Sequence, residues 1–445
     1  MRSLTILAAL LGAVSAAPTI SPSGFTVATP GGIKDIIITK ENTLNGTYHS
    51  PVTLVVKPDA KLASRAASGN LPIQFVNKLG GGQVYAYISG LDSDGRVVFI
   101  RGDNSLLYPS SGGSSVPAPF GQDPSIAMAG QGGTLQVTLP IVLKSARIYF
   151  SIGKLNFFMV KTPAGDGLVQ PSAVNPSDPS SGTNWGFMEF TYGDDLSLFA
   201  NISFVDFVGV AISLGLTVRN GGPTQTVRGL AANPVASICS AMVTQSNSDH
   251  FPWSRMCVAN SAGQPLRVLS PNSYGVMNAG DFQNYWSGYI DQVWSFYSQN
   301  TLTVDTQTAP GKVQCRVSGN QLNCAGDNRG YGKPSASDIW GCNSGPFAIQ
   351  GGDNGVHLAV VPRLCAAIHR STLLIAGGNN QPGPSSTFYQ GSPTDHYSRL
   401  LHQFEVDHDG YAFAYDDVTI AGENTAGVVT SGAPGIFTVY IGGPP

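Results

Sequence analysis

Trp185-Gly-Phe-Met-Glu189-Phe-Thr191-Tyr192, followed after a short loop by Phe199-Ala-Asn201-Ile-Ser203-Phe-Val-Asp206-Phe207, is strand text interrupted by two acids. Apolar residues recur at alternate positions in a run rich in aromatic side chains, the pattern of a β-strand packed on one face. Between Lys161 and Arg219 there is no Lys or Arg, yet there are six carboxylates: Asp166, Asp178, Glu189, Asp194, Asp195 and Asp206. An acid among aromatic residues with no local cation is costly to ionise, so its proton affinity should rise. Two such acids in unlike surroundings can supply the protonated and the ionised carboxyl that glycoside hydrolysis needs. The plainer reading places both at strand ends facing water, with cations brought from elsewhere in the fold.

Outward from this stretch, short alternating segments recur at Leu71–Val76, Gln83–Ser89, Arg96–Ile100, Thr134–Leu139, Ala146–Ile152 and Asn156–Val160, separated by Gly, Pro and Ser clusters. Such punctuation predicts an antiparallel sandwich or barrel. Upstream, Asp35–Thr39 and Val52–Val56 read as strands, and Lys61–Asn70 as a linker. From about residue 220 the text changes: Asn233–Gln245, Asp281–Gln299 and Leu364–Leu374 read as helices, the second behind an Asp281 N-cap. Its aromatic stripe is read as core. Strand text returns at Tyr411–Ile420 and Gly435–Ile441. The predicted organisation is a signal peptide (1–16), a β-rich N-terminal extension and linker (17–70), a β domain (71–219), a disulfide-stapled α/β domain (220–394) and a return to the β domain (395–445).

The signal reading rests on Arg2, the apolar run Leu4–Val14 and the small-residue site Val14-Ser15-Ala16. It predicts a secreted, extracellular protein, and no stretch reads as a membrane span. Only 11% of residues are charged, while Gly 54 and Pro 30 are abundant, so turns join many strands under a weakly charged polar surface. The formal charge of −3 becomes −4 once Arg2 leaves, which argues against nucleic acid and anionic membrane as partners and favours a neutral polysaccharide. All six cysteines lie between Cys239 and Cys365. An even count in a secreted chain predicts disulfides; sequential pairing is chosen from the 15 possible, with no metal and no cofactor. No Gly-x-Ser-x-Gly elbow occurs, and Asp407-His-Asp409-Gly410 lacks the rest of a calcium loop.

Gly167-Leu-Val-Gln-Pro171, Asn175-Pro-Ser-Asp-Pro179, Glu189-Phe-Thr191, Asn201-Ile-Ser203, Val205-Asp206, Arg363-Leu-Cys365, His396-Tyr-Ser-Arg399 and Phe413-Ala-Tyr415-Asp416-Asp417 closely resemble the laminaripentaose-producing β-1,3-glucanases, glycoside hydrolase family 64. The resemblance covers about residues 71–425. It implies a mainly β, thaumatin-like sandwich or barrel with an inserted mixed α/β domain and a wide groove between them. It also implies an endo-acting glucan endo-1,3-β-glucosidase, monomeric, that inverts configuration, with Glu189 as acid and Asp206 as base. Thr191, Asn201, Ser203, Asp416 and Asp417 fall at sugar-contacting or groove-side positions. A non-catalytic β-glucan-binding or structural cell-wall protein is the alternative.

Two conflicts follow. Asn201-Ile-Ser203 is a glycosylation sequon, but the resemblance turns Asn201 into the groove, where a glycan would block substrate. Strict alternation also puts Asn201, Ser203 and Val205 on one face and Asp206 on the other. If Asp206 and Glu189 face one groove about 6.5–9.5 Å apart, a β-bulge or a strand end must lie between Ser203 and Asp206.

Overall fold

The computed structural model describes residues 19–57, 70–423 and 427–445. The expected signal peptide and nearly all of the expected linker lie outside them. The protein is mainly β, built on two facing sheets. The larger runs Val428–Ser431, Leu198–Asn201, Asn184–Tyr192, Leu143–Ile152, Val84–Leu91, Val97–Ile100, Leu106–Tyr108, Leu54–Val56, with Ile126–Ala127 paired beside Val84–Leu91. The smaller runs Gln225–Val227, Ile212–Val218, Pro434–Ile441, Leu71–Asn77, Thr134–Leu139.

Period-2 alternation decides what each strand gives to the space between the sheets. From Asn184–Tyr192 it sends Met188, Phe190 and Tyr192 inward, all buried. Phe190 meets Phe437 of the smaller sheet at 6.4 Å between ring centroids, and Phe75 meets Phe150 edge-on at 5.5 Å. Each ring withdrawn from water contributes about 1.5–3 kcal/mol, so this interior fixes which face of the strand remains for function. Trp185, Phe187, Glu189 and Thr191 take that other face.

A small sheet of Thr26–Val27, Cys257–Ala259, Pro265–Leu269 and Phe207–Val208 leads into the helical part. There Pro234–Asp249, Pro271–Asn278, Ser287–Gln299 and Gly355–His369 are helices, and the disulfides are the sequential pairs Cys239–Cys257, Cys315–Cys324 and Cys342–Cys365. The aromatic stripe is core: Tyr289, Ile290, Val293, Trp294 and Tyr297 are all buried.

Several local expectations are corrected. The second helix begins at Ser287, not behind Asp281, because the Asp281 carboxylate accepts bonds from Tyr274 Oη (2.6 Å) and Arg255 Nη1 (3.2 Å) instead of capping. The third spans Gly355–His369, started by Asn354, whose side chain accepts the His357 N–H at 3.0 Å. Tyr411–Ile420 is turns and coil, not strand, since Asp416 folds back to accept the Ala412 N–H at 2.8 Å. Asp35–Thr39 is not a strand either. Ile33–Asp35 is a 3-10 turn, and the Thr39 and Asn42 side chains bond each other's backbone N–H at 3.2 and 2.8 Å. Short polar side chains thereby outcompete a ladder.

Candidate active site

Glu189 sits mid-strand, and its cross-strand neighbours are Arg147 on one side and Asn201 on the other. Directly opposed residues on one face interact across an antiparallel pair. Arg147 Nε and Nη2 reach Glu189 Oε1 at 3.0 and 2.9 Å. The remaining end of the guanidinium, Nη1, donates to Gln170 Oε1 at 2.9 Å, and the plane lies 4.4 Å from the Phe187 ring centroid. Both contacts to Glu189 fall on Oε1, which leaves Oε2 unengaged by Arg147. Burial works against the Arg147 charge, but Tyr149, Glu189 and Asp206 around it prevail and hold its proton more tightly than usual.

Asp206 arrives by the strand-end route. The ladder stops at Asn201, Ser203 makes a lone bridge with Tyr411, and pairing resumes only at Phe207. Three bonds fix the irregular piece. Phe204 N–H donates to Tyr411 O at 2.7 Å, Tyr397 Oη to Phe204 O at 2.5 Å, and Ser270 N–H to Asp206 O at 3.0 Å. Ser270 is also the N-cap of Pro271–Asn278, so the start of that helix sets the height of the Asp206 backbone.

Three adjoining hollows form a groove along this face. The first, about 400 Å³, holds Glu189, Thr191, Phe199 and Asn201; the second, about 240 Å³, holds Asp206, Trp185, Phe187 and the helix residues Asn272 and Val276. Arg147 and Glu41 line both. Asn272 and Val276 continue into a third, floored by Phe282 and Trp340. Glu189 and Asp206 thus lie along one groove between the sheet face and the helical part, with Arg147 between them.

At Asp206 the electrostatics differ from the readily ionised carboxyl expected of a base. Burial lifts the Asp206 carboxyl above the usual carboxylate range, Glu189 and Glu41 add to this, and Arg147 opposes it. Glu189 instead faces a cation that the sequence places far away. Arg147 was missed as a site residue; its signal is an arginine in the alternating run Ala146–Ile152, in phase with Tyr149. Phe199, 48% exposed on the groove wall beside Thr191, was missed as well.

The structure does not bring every expected residue to this groove. Asn201 and Thr191 line it, but Ser203, whose backbone bridges to Tyr411, lines none of the three hollows. Asp416 is corrected outright: it is fully buried, paired with Arg370 Nη2 at 2.8 Å and with His402 Nε2 at 2.9 Å. Arg370 also donates to the carbonyls of Asp416 and Val418, so this acid holds the 411–418 turns together and offers nothing to a sugar. Asp417 is exposed and lines none of the three hollows. Among the described residues, Cys342, Cys365 and His369 are grouped closely enough for a metal, but both sulfurs are in a disulfide, so the donor set is closed.

Comparison with known proteins gives a consistent result. The β-1,3-glucanase model of glycoside hydrolase family 64 matches residues 69–441. A glucan endo-1,3-beta-glucosidase of Arthrobacter sp. (strain YCWD3) is 30% identical over 367 residues, covering 79% of this chain and 62% of that protein. One from Cellulosimicrobium cellulans is 29% identical with the same coverage. The chain therefore spans about three-fifths of the length of these relatives. Among solved structures, a laminaripentaose-producing β-1,3-glucanase in complex with laminaritetraose superposes with a TM-score of 0.72 at 27% identity, over 84% of this chain and 98% of that one. A β-1,3-glucanase domain from Clostridium beijerinckii shares the fold, with a TM-score of 0.63 at 22% identity over 86% of this chain and all of that one. With the family match covering most of its length, the chain belongs to the β-1,3-glucanases of glycoside hydrolase family 64.

Proposed function

We propose that the protein is a secreted, monomeric enzyme that hydrolyses β-1,3-glucan internally, with inversion at the anomeric carbon. The observation that carries this reading is the placement of Glu189 and Asp206 along one groove with Arg147 between them. Glu189 is assigned as general acid: Oε2, free of Arg147, delivers its proton to the glycosidic oxygen. Asp206 is assigned as general base: it takes a proton from a water attacking the opposite face of the sugar, which is why the two carboxyls of an inverting enzyme stand apart. A raised proton affinity strengthens Asp206 as a base, provided the working pH keeps it ionised. Asn201 and Thr191 supply polar contacts, and the exposed Phe199 ring supplies an apolar surface for a sugar face.

The test is incubation with linear β-1,3-glucan, with products sized by chromatography and the first-formed anomer read by proton NMR. Release of short oligosaccharides as the α-anomer is expected. Glu189→Gln removes the transferable proton, and Asp206→Asn the acceptor; each should lower kcat by at least about 10²-fold. Retention of more than about a tenth of the wild-type rate by either variant would remove the two-carboxylate assignment, and β-anomer product would overturn inversion and with it the role of Asp206 as base.

A further inference from the structure

The family match begins at residue 69, yet part of the groove wall comes from before it. Residues 37–44 cross the groove mouth, and within them Glu41 is, with Arg147, common to the hollow that holds Glu189 and the hollow that holds Asp206.

The segment is a built wall rather than a loose tail. Asn42 is 8% exposed and ties the turn from inside: Oδ1 accepts the Thr39 N–H at 2.8 Å and Nδ2 donates to Ile37 O at 2.9 Å. Thr43, Leu44 and Asn45 pair antiparallel with Val169, Leu168 and Gly167. Upstream, Asn175 Nδ2 donates to Asp35 O at 2.8 Å. Gln170 couples the wall to the acids, since its N–H donates to Asn42 O at 2.8 Å while its Oε1 accepts from Arg147.

Glu41 itself is exposed, and no hydrogen bond or ion pair holds its carboxylate among the described residues. A carboxylate fixed by its backbone but unengaged by its neighbours suits a pair of donors brought by a ligand. Sugar hydroxyls are such donors, and a carboxylate accepts two at once. Its reach to Asp206 is seen in its contribution to the raised proton affinity of that group.

Building on the glucanase reading, we propose that residues 37–44 form a sugar-binding wall added to the family groove, and that Glu41 is its specificity-determining residue, accepting hydroxyl hydrogen bonds from a glucosyl unit beside the bond that is cut. By walling one side, the segment also limits how the polymer lies across the acids, and so sets product length.

The test uses Glu41→Ala and Glu41→Gln in the full chain, with laminarihexaose as probe. Calorimetric affinity is measured in the Glu189→Gln background, where no turnover is needed, and kcat, KM and product sizes are measured in the otherwise wild-type chain. Hydrogen bonds to a charged group are worth about 1.5–3 kcal/mol, so Glu41→Ala should weaken binding and raise KM at least about tenfold. Glu41→Gln should retain part of the affinity, the product-length distribution should shift, and thermal unfolding should stay unchanged because the Glu41 carboxylate has no partner among the described residues. Unchanged affinity, KM and product lengths would overturn the wall. Tight binding that depends on Glu41 in a chain that cuts no glucan would uphold it while overturning the hydrolase reading.

Discussion

Replacing Arg147 with Met removes three polar contacts in one step while nearly preserving volume: two to Glu189 Oε1 and one to Gln170. Two unit charges about 4 Å apart interact by about 4 kcal/mol at an effective dielectric near 20, and by about 1 kcal/mol in water. The Arg147 and Glu189 side chains are 22% and 37% exposed, so the pair lies toward the screened end, and about 1–2 kcal/mol is the reasonable loss. The sharper readout is pH. Arg147 is the group that holds the Asp206 proton affinity down, against burial, Glu189 and Glu41, which hold it up. A base acts only when ionised, so activity should fall on the acid side as Asp206 gains its proton. Removing Arg147 therefore moves that acid limb to higher pH. The assay is kcat/KM on a soluble β-1,3-gluco-oligosaccharide from pH 3 to 9, for wild type and Arg147→Met. An acid limb that stays in place, or moves to lower pH, would refute the assignment of Asp206 as the base governed by Arg147.

Other outcomes separate structure from chemistry. Asp416→Ala leaves the Arg370 charge buried without its partner, and breaking such a pair costs about 3–5 kcal/mol; denaturant unfolding should show this, while KM of the folded fraction stays at the wild-type value. Cys342→Ser with Cys365→Ser opens a loop whose ends are 23 residues apart, for which chain entropy gives about 3 kcal/mol, read as a lower midpoint in denaturant. Asn201 lines the hollow beside Glu189, so peptide mass spectrometry of active, secreted protein should find it unmodified despite its sequon.

The parts legible in the sequence are those where a local period meets a local need. Alternation in Trp185–Tyr192 gives both the strand and the face of Glu189, and helical spacing gives the buried stripe Tyr289–Tyr297. What was not legible depends on partners distant in sequence. The stretch around Glu189 has no cation of its own, yet antiparallel register sets Arg147 directly opposite it, a partner 42 residues away that no local pattern announces. The Asp416-Asp417 pair reads as groove carboxylates, but Arg370 and His402 draw Asp416 inside. Residues 33–42 contain three consecutive isoleucines, a strand signal, and the Thr39–Asn42 side-chain bonds turn them into a loop instead.

The N-terminal segment has a mechanical consequence. Thr26 and Val27 add a parallel strand to Cys257–Ala259 on the helical side, and Thr43–Asn45 add one to Asp166–Val169 on the sheet side. Residues 28–42, between these two seams, act as a tie-bar across the gap. Spreading the two sides would require undoing the Thr39–Asn42 turn or stripping one seam, which couples any widening to the loss of internal bonds. The aperture is therefore tied to the fold of this one segment.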